Sequence, residues 1–479
     1  MNFQFLSQKH SQTDPEFEIH NRQKLAFAPA FFLILFSLTA LVISTIAFWP
    51  GYLEFDSFHQ YGQASGVFAM EDWHPISMTL LWRALLFIHN GPQPMLILQM
   101  ILYWGGFLYP ALRLLRSRSK LLPALCVLAT GFLPFFLNFS GVIWKDTQMA
   151  VFLFWAVLLI TSHSTSRIKL TISLIFIFYA LSVRYNGAAA ALPILFLWSE
   201  RFCSLAKIKN RVFIPIITAI SFVLYFLLNS GFHTLIRYEK TSPLMAQILN
   251  EAVFIECEAS PRNVESLNSF FGEALPKIDA DKRQTILCDQ ISLLAEQGDT
   301  NEIYDVKFLR SPAINDVHMP SLWFRSVSSH PLLYLEYRFK VFKTFLRPYE
   351  YREPYYTYLD GEDKSPWRFP VSFPENTSSL KMALVRYLVV SSRVLDIFFR
   401  PFFWLIALVA SSIFYFYSRF YLEFLLSLSG LFYLLGYILF LPAPDFRYAY
   451  YSIFALFFAF YSYMEVRTGN HKNYQYLRN

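Results

Sequence analysis

Long apolar runs alternate with short polar connections along most of this chain. Ten runs approach the roughly 20 residues that a helix needs to cross a bilayer. They cover 27–48, 94–115, 121–139, 147–162, 170–185, 187–200, 211–229, 396–418, 420–441 and 447–464. An eleventh, 75–89, is apolar but short, and Arg83 sits in its middle. The pattern predicts an all-α polytopic membrane protein with about ten transmembrane helices.

The placement of positive charge decides how 75–89 is read. Taken as a span, it puts Arg113, Arg116, Arg118 and Lys120 outside; taken as a helix lying in the interface, it puts them inside. Cytoplasmic loops carry the excess of Lys and Arg, so the interfacial reading is preferred. Basic residues then crowd one set of connections, such as Arg201, Lys207, Lys209 and Arg211, and thin out in the other. Both termini are therefore expected in the cytoplasm, with the protein in a bacterial inner membrane and the opposite face periplasmic.

This divides the chain into five parts. A cytoplasmic tail covers 1–26. An N-terminal membrane module covers 27–229, with its first outer loop at 49–93. An outer insert covers 230–395, C-terminal membrane helices cover 396–464, and a second tail covers 465–479. A connection as long as the insert is usually a folded unit, and its amphipathic stretch at 324–346 predicts that it is mainly helical.

Composition agrees with a membrane protein. The chain is 55% hydrophobic and only 16% charged, against about 25% charged in soluble domains. The net charge of +7 is spread over several loops, so no stripe for nucleic acid appears. The four cysteines lack zinc spacing. Cys257 and Cys288 both fall in the outer insert, where either a disulfide or two buried thiols fits. Cys126 and Cys203 read as core residues.

Candidate chemistry collects at one end of the spans. The first outer loop carries Trp49-Pro50-Gly51, Glu54, Asp56, His59, Gln60 and Glu71-Asp72-Trp73-His74-Pro75. Later outer ends carry Trp144-Lys145-Asp146, Arg184-Tyr185-Asn186-Gly187 and Pro444-Asp445-Phe446-Arg447-Tyr448. Ionisable groups at a membrane are costly and mark function by default. Carboxylates supply a base or a metal ligand; Arg and Lys hold phosphate. The set suits group transfer from a lipid-linked phosphate.

These residues resemble the GT-C fold glycosyltransferases, which use polyprenyl-phosphate sugars. Relatives in that group include protein mannosyltransferases and the lipid A aminoarabinose transferase. The resemblance lies in Asp56 after the first span, His74-Pro75 opening an interfacial helix, and a span ending in Arg113 to Arg118. It continues with Asp146 opening a span, Arg184 before Gly187, and Arg447-Tyr448 opening the last span. It covers about 49–200 and 442–464, and Trp49-Pro50-Gly51, Asp56, Gln60 and Lys145-Asp146 resemble an uncharacterised bacterial branch of the group.

The resemblance implies transfer of a sugar, with inversion, from a polyprenyl-phosphate donor to a lipid, glycan or protein acceptor. It implies Asp56 as general base, with Asp146, Asp72 and His74 as further catalytic candidates. Arg184, Arg447 and Lys145 would bind the donor phosphate. No soluble cofactor is implied; a divalent metal ion, if used, would take Asp56, Asp72 and His74. Plainer roles stand beside these. Asp56 could cap a helix, His74 could open one, Lys145 and Asp146 could pair structurally, and the arginines could snorkel to headgroups. Glu54, His59, Gln60 and Glu71 read as solvated or supporting residues, and Asn138 and Asn376 match the short glycosylation motif. A transporter or flippase, or a non-catalytic envelope scaffold, are the rival functions.

Overall fold

The computed structural model describes residues 15–468, apart from 119, 163, 165, 241–242, 260–318, 348–377 and 442–443. Cys288 and Asn376 lie outside the described residues. Among those described, every element is a helix, and two isolated bridges are the sole β pairings.

All ten apolar runs are helical. They form α1 (Pro15–Ala47), α4 (Gln93–Arg118), α5 (Leu121–Ala129) with α6 (Pro134–Ser140), α7 (Lys145–Ile160), α8 (Arg167–Val183), α9 (Gly187–Leu205) and α10 (Phe213–Leu235). Three more follow late in the chain: α15 (Pro401–Tyr417), α16 (Tyr421–Phe440) and α17 (Tyr450–Thr468). Five of the described helices, α1, α4, α9, α10 and α16, are long and apolar enough to cross a membrane. The run 121–139 is not one straight rod. It bends by 55° between Phe132 and Pro134, because Pro134 has no N–H to continue the ladder and disfavours α geometry at Leu133.

The outward faces of α1 and α10 are apolar, with Phe31, Leu35, Leu38 and Val42 on one and Ile220, Val223 and Leu227 on the other all exposed. Apolar surface of this extent needs cover, and lipid supplies it. The interior is aromatic. Phe107, Phe136, Phe154 and Phe454 meet ring to ring at 5.0–6.0 Å. This plug separates two polar ends of the bundle.

Two short helices lie in the first loop: α2 (Phe55–Ser65) and α3 (Ile76–Leu85). Ten residues of α3 rise only about 15 Å, too little to cross a bilayer. Arg83 sits in this apolar helix for a local reason. Its guanidinium donates to the carbonyls of Gln63 at 2.8 Å and Ala64 at 3.1 Å, closing the C-terminal end of α2, where cations are favoured.

The insert contributes α11 (Pro243–Ala259), α12 (Met319–Ser329), α13 (Pro331–Leu346) and α14 (Ser379–Val394). The predicted amphipathic stretch 324–346 is therefore two helices, divided at His330-Pro331. A buried ion pair of Arg338 with Glu251 joins α13 to α11, and the Trp323 indole donates to Glu251 at 2.8 Å. Cys257 in α11 is disulfide-bonded, whereas Cys126 and Cys203 are free. Cys126 is exposed rather than a core residue. By contrast α14 packs on α1 and α6, so it belongs spatially with the bundle.

At the end of the bundle away from the first loop, Arg113 of α4 meets Glu465 of α17 at 2.8 Å and Thr161 at 3.3 Å. Both charged side chains are buried. Removing one partner strands the other in a dry site, which costs about 3–5 kcal/mol. Arg113→Ala is expected to lower thermal stability in detergent accordingly; unchanged melting would mean that the pair does not brace the bundle.

Candidate functional site

The site is built on the join between the first loop and the start of α7. After α1 the chain turns through Trp49-Pro50-Gly51, with Gly51 at φ +122°. Tyr52 then pairs with the segment before α7: its N–H donates to Gly141 O at 3.0 Å, and Ile143 N–H donates to Tyr52 O at 3.0 Å. The Ser57 hydroxyl donates to Ile143 O at 2.6 Å. From the other side, the Gln99 amide donates to Ser140 O at 2.6 Å and Val142 O at 2.9 Å, and Gln148 donates to Gln99 at 2.9 Å. These bonds satisfy backbone that no helix satisfies, and they set Asp56 beside Lys145.

The join has no room for a side chain at Gly141. A Cβ there would lie 2.0 Å from the Phe48 ring, which is fully buried and packed against Tyr52 at 5.1 Å. Overpacking of this kind costs about 1–3 kcal/mol. Gly141→Ala is expected to lower the melting temperature and to weaken any activity of the site; a variant as stable as the parent would show that Phe48 can move.

Glu54 precedes α2 in extended backbone and makes no side-chain cap. Asp56 stands in the first turn of α2, where the helix dipole favours an anion. One face of α2 then carries Asp56, His59, Gln60 and Gln63, at the three- and four-residue spacing of one helix side, and the last three are buried. Asp146 holds the equivalent first-turn position in α7. Arg184 follows α8, and Arg447 lies in a short 3-10 turn (Phe446–Ala449) that Asp445 caps.

The structure brings five of the sequence candidates together. Asp56 Oδ2 is 3.8 Å from Lys145 Nζ and 3.7 Å from Arg447 Nη1. Arg447 also meets Glu54 Oε2 at 3.0 Å and Asp445 Oδ2 at 3.0 Å. Its guanidinium lies over Trp144 at 4.5 Å and near the Tyr448 ring at 5.2 Å. Arg184 pairs with Asp146 at 2.9 Å and faces the same Tyr448 ring at 4.7 Å. Tyr448 thus links the two arginines, each within cation–π reach.

No protein-family model, no curated protein and no solved structure matches this chain. What the site can do is therefore read from its own chemistry.

The two carboxylates of the first loop differ. Burial alone would raise the Asp56 carboxyl; Lys145 and then Arg447, with His74 and Arg184 behind them, outweigh it and hold Asp56 well below the usual carboxylate range. Asp56 is a stable anion and hence a weak base. Glu54 is pushed up to about 7, by burial first; Arg447 draws it down, while Asp56 and Asp445 push it up. Two neighbouring carboxylates with diverging proton affinities suit two different roles.

The remaining candidates separate. His74 is buried, acts electrostatically on Asp56, and lies 5.1 Å ring to ring from His59. His59 is 3.5 Å from Glu71. Asp72 does not join Asp56. Its N–H donates to Glu239 O at 3.3 Å, and its charge acts on Tyr185, Tyr238 and His233. A metal centre of Asp56, Asp72 and His74 is not assembled: among the described residues no three His, Cys, Asp or Glu side chains are grouped to hold an ion. Asn138 is fully buried in α6, so its glycosylation motif is inaccessible.

Some site residues were not singled out from the sequence. Tyr433 and Tyr437 of α16 form a hydroxyl chain that receives Arg184, with Arg184 Nη2 to Tyr437 at 3.3 Å and Tyr437 to Tyr433 at 2.8 Å. Two tyrosines four apart in an otherwise apolar run were the available signal. Phe345 and Arg347, at the end of α13, were not legible at all. Phe345 packs 5.7 Å from Tyr437, and Arg347 donates to the Pro444 carbonyl, so the insert helices brace the Asp445–Arg447 wall.

Proposed function

We propose that this protein is a membrane glycosyltransferase of the GT-C type. It transfers a sugar from a polyprenyl-phosphate donor to a lipid, glycan or protein acceptor, with inversion, on the outer side of the membrane. The observation that carries the reading is the convergence of Asp56 with Lys145 and Arg447, from three distant parts of the chain, within 4 Å. An anion beside fixed cations orients an acceptor hydroxyl and neutralises a leaving phosphate. The ten helical runs support a ten-span bundle, and the Cys257 disulfide supports an oxidising outer compartment for the insert.

The transporter reading is disfavoured by the middle of the bundle. Buried charges sit at its two ends and in the insert helices, with the phenylalanine plug between the ends. A transport path would need charged groups near mid-membrane. Mass spectrometry of envelope lipids and glycans, with and without the protein, tests the proposal. Loss of one glycosyl unit is the expected result and would identify both substrates; an unchanged profile would remove the transferase reading.

A further inference from the structure

The site has an imbalance of charge around Arg447. This one guanidinium faces three carboxylates: Glu54 at 3.0 Å, Asp445 at 3.0 Å and Asp56 at 3.7 Å. Asp56 has a second cation in Lys145 at 3.8 Å, and Asp146 has Arg184 at 2.9 Å. Among the described residues the one cation paired with Glu54 is the shared Arg447, with the Trp144 indole as a neutral donor beside it. It also keeps 31% of its side-chain surface open, more than any other carboxylate in the cluster. The groups that face it are Arg447 and Asp445 from the last turn, Asp56 from α2 and the Trp144 indole before α7.

An incoming phosphate adds negative charge to this group. Its two best ligands, Arg447 and Arg184, already face carboxylates. Binding is then favourable only if negative charge leaves the site or is neutralised within it. We propose that Glu54 is the proton-gated element of the phosphate site: it takes up one proton from solvent when a prenyl phosphate binds, removing one of the three carboxylate charges that compete with the phosphate for Arg447, and returns that proton when the phosphate leaves. The inference rests on the phosphate-donor reading above. The step balances as one carboxylate plus one proton giving one carboxylic acid, with no other bond changed.

The ordinary proton affinity of Glu54 in this cluster already lies in the right range, at about 7. The sign follows from linkage. Below that value Glu54 is neutral and offers no repulsion; above it each bound phosphate must draw in a proton, so affinity falls by about tenfold per pH unit. Asp56, held ionised by two cations, does not take this role.

Calorimetry on the full-length protein in detergent tests this, with farnesyl phosphate and inorganic phosphate as separate probes. Farnesyl phosphate is fully dianionic well above its second pKa of about 6, so a slope at alkaline pH comes from the protein. Titrations in buffers of different ionisation enthalpy count the protons. The expected result is uptake of about one proton per bound farnesyl phosphate on the alkaline side, and weaker binding as pH rises. Glu54→Gln is expected to abolish the uptake and to bind with a flat pH profile, at alkaline pH more tightly than the parent. A merely structural role for Glu54 would weaken binding in that variant instead. Uptake that persists in Glu54→Gln, or binding by the parent without uptake, would overturn the inference.

A second measurement needs no ligand. An infrared pH titration of the parent is expected to show a carboxylic acid band, lost as pH rises through about 7 and absent from Glu54→Gln. A parent without that band overturns the proton gate. If the band is present but neither probe binds, the phosphate-donor reading fails, and the gate as a phosphate device fails with it. Binding of inorganic phosphate as tight as that of farnesyl phosphate would overturn a prenyl ligand in favour of free phosphate.

Discussion

Asp56→Asn is expected to cut sugar transfer by orders of magnitude while leaving the protein folded. Asparagine keeps the size and much of the hydrogen bonding of the side chain, and removes only its charge. Lys145 loses its nearest anion at 3.8 Å, whereas Arg447 keeps Glu54 and Asp445 at 3.0 Å. Positioned groups that handle a proton or charge in the transition state contribute about 10²–10⁴-fold, so transfer should fall by that amount. The stability effect has a definite sign. A carboxyl held below its ordinary range stabilises the fold at neutral pH and loses that contribution only as pH falls through its lowered value. The variant should therefore melt somewhat earlier than the parent at neutral pH, and the difference should shrink in strong acid. The check is the envelope glycan profile of cells that carry the variant as their only copy, with thermal melting of the purified protein beside it. A parental glycan profile would reduce Asp56 to a structural anion and would remove the strongest support for the transferase.

The sequence carries different parts of this picture with different clarity. Apolar runs and helix ends are local, and every run became helical, the run 121–139 as two helices with a bend between them. Five of these helices reach the length and apolarity of a span; α7 and α8, at 16 and 17 residues, are shorter, and the charges of the site stand at their ends, Lys145-Asp146 in the first turn of α7 and Arg184 just after α8. The partners of those charges are not local. Nothing near Glu54 in the chain announces Arg447, 393 positions away, so Glu54 read as solvated. Arg83 looked like a misplaced charge until its acceptors, the last carbonyls of α2, were in view. Asp72 misled for the opposite reason. It is close to His74 in sequence, but the turn before α3 sends it towards Glu239, Tyr185 and His233. Proximity along a loop is weak evidence for a shared site, because a loop has two faces.

Arg447→Gln is expected to be the most disruptive single change at this end of the protein, and its dependence on Glu54 tests the arrangement. The guanidinium meets three carboxylates, donates to the Tyr448 hydroxyl at 3.3 Å and lies over Trp144 at 4.5 Å. Its side chain is nearly buried, at 7% exposure. Removing a buried partner from its charges costs about 3–5 kcal/mol, which should appear as poor folded yield and early melting. Arg447→Lys restores the charge but not the plane; one ammonium cannot reach Glu54 and Asp445 together and still cover Trp144. It should recover part of the stability and little of the phosphate affinity. The decisive comparison adds Glu54→Gln to Arg447→Gln. At alkaline pH, where Glu54 is ionised even without Arg447, the second substitution removes one of the stranded charges and should restore stability, with a coupling of about 0.5–3 kcal/mol. Additive losses would mean that the two side chains, although 3.0 Å apart, do not share energy. Coupling of that size would make the Arg447 cluster one electrostatic unit, in which no carboxylate can gain or lose a proton without moving the guanidinium that holds the others.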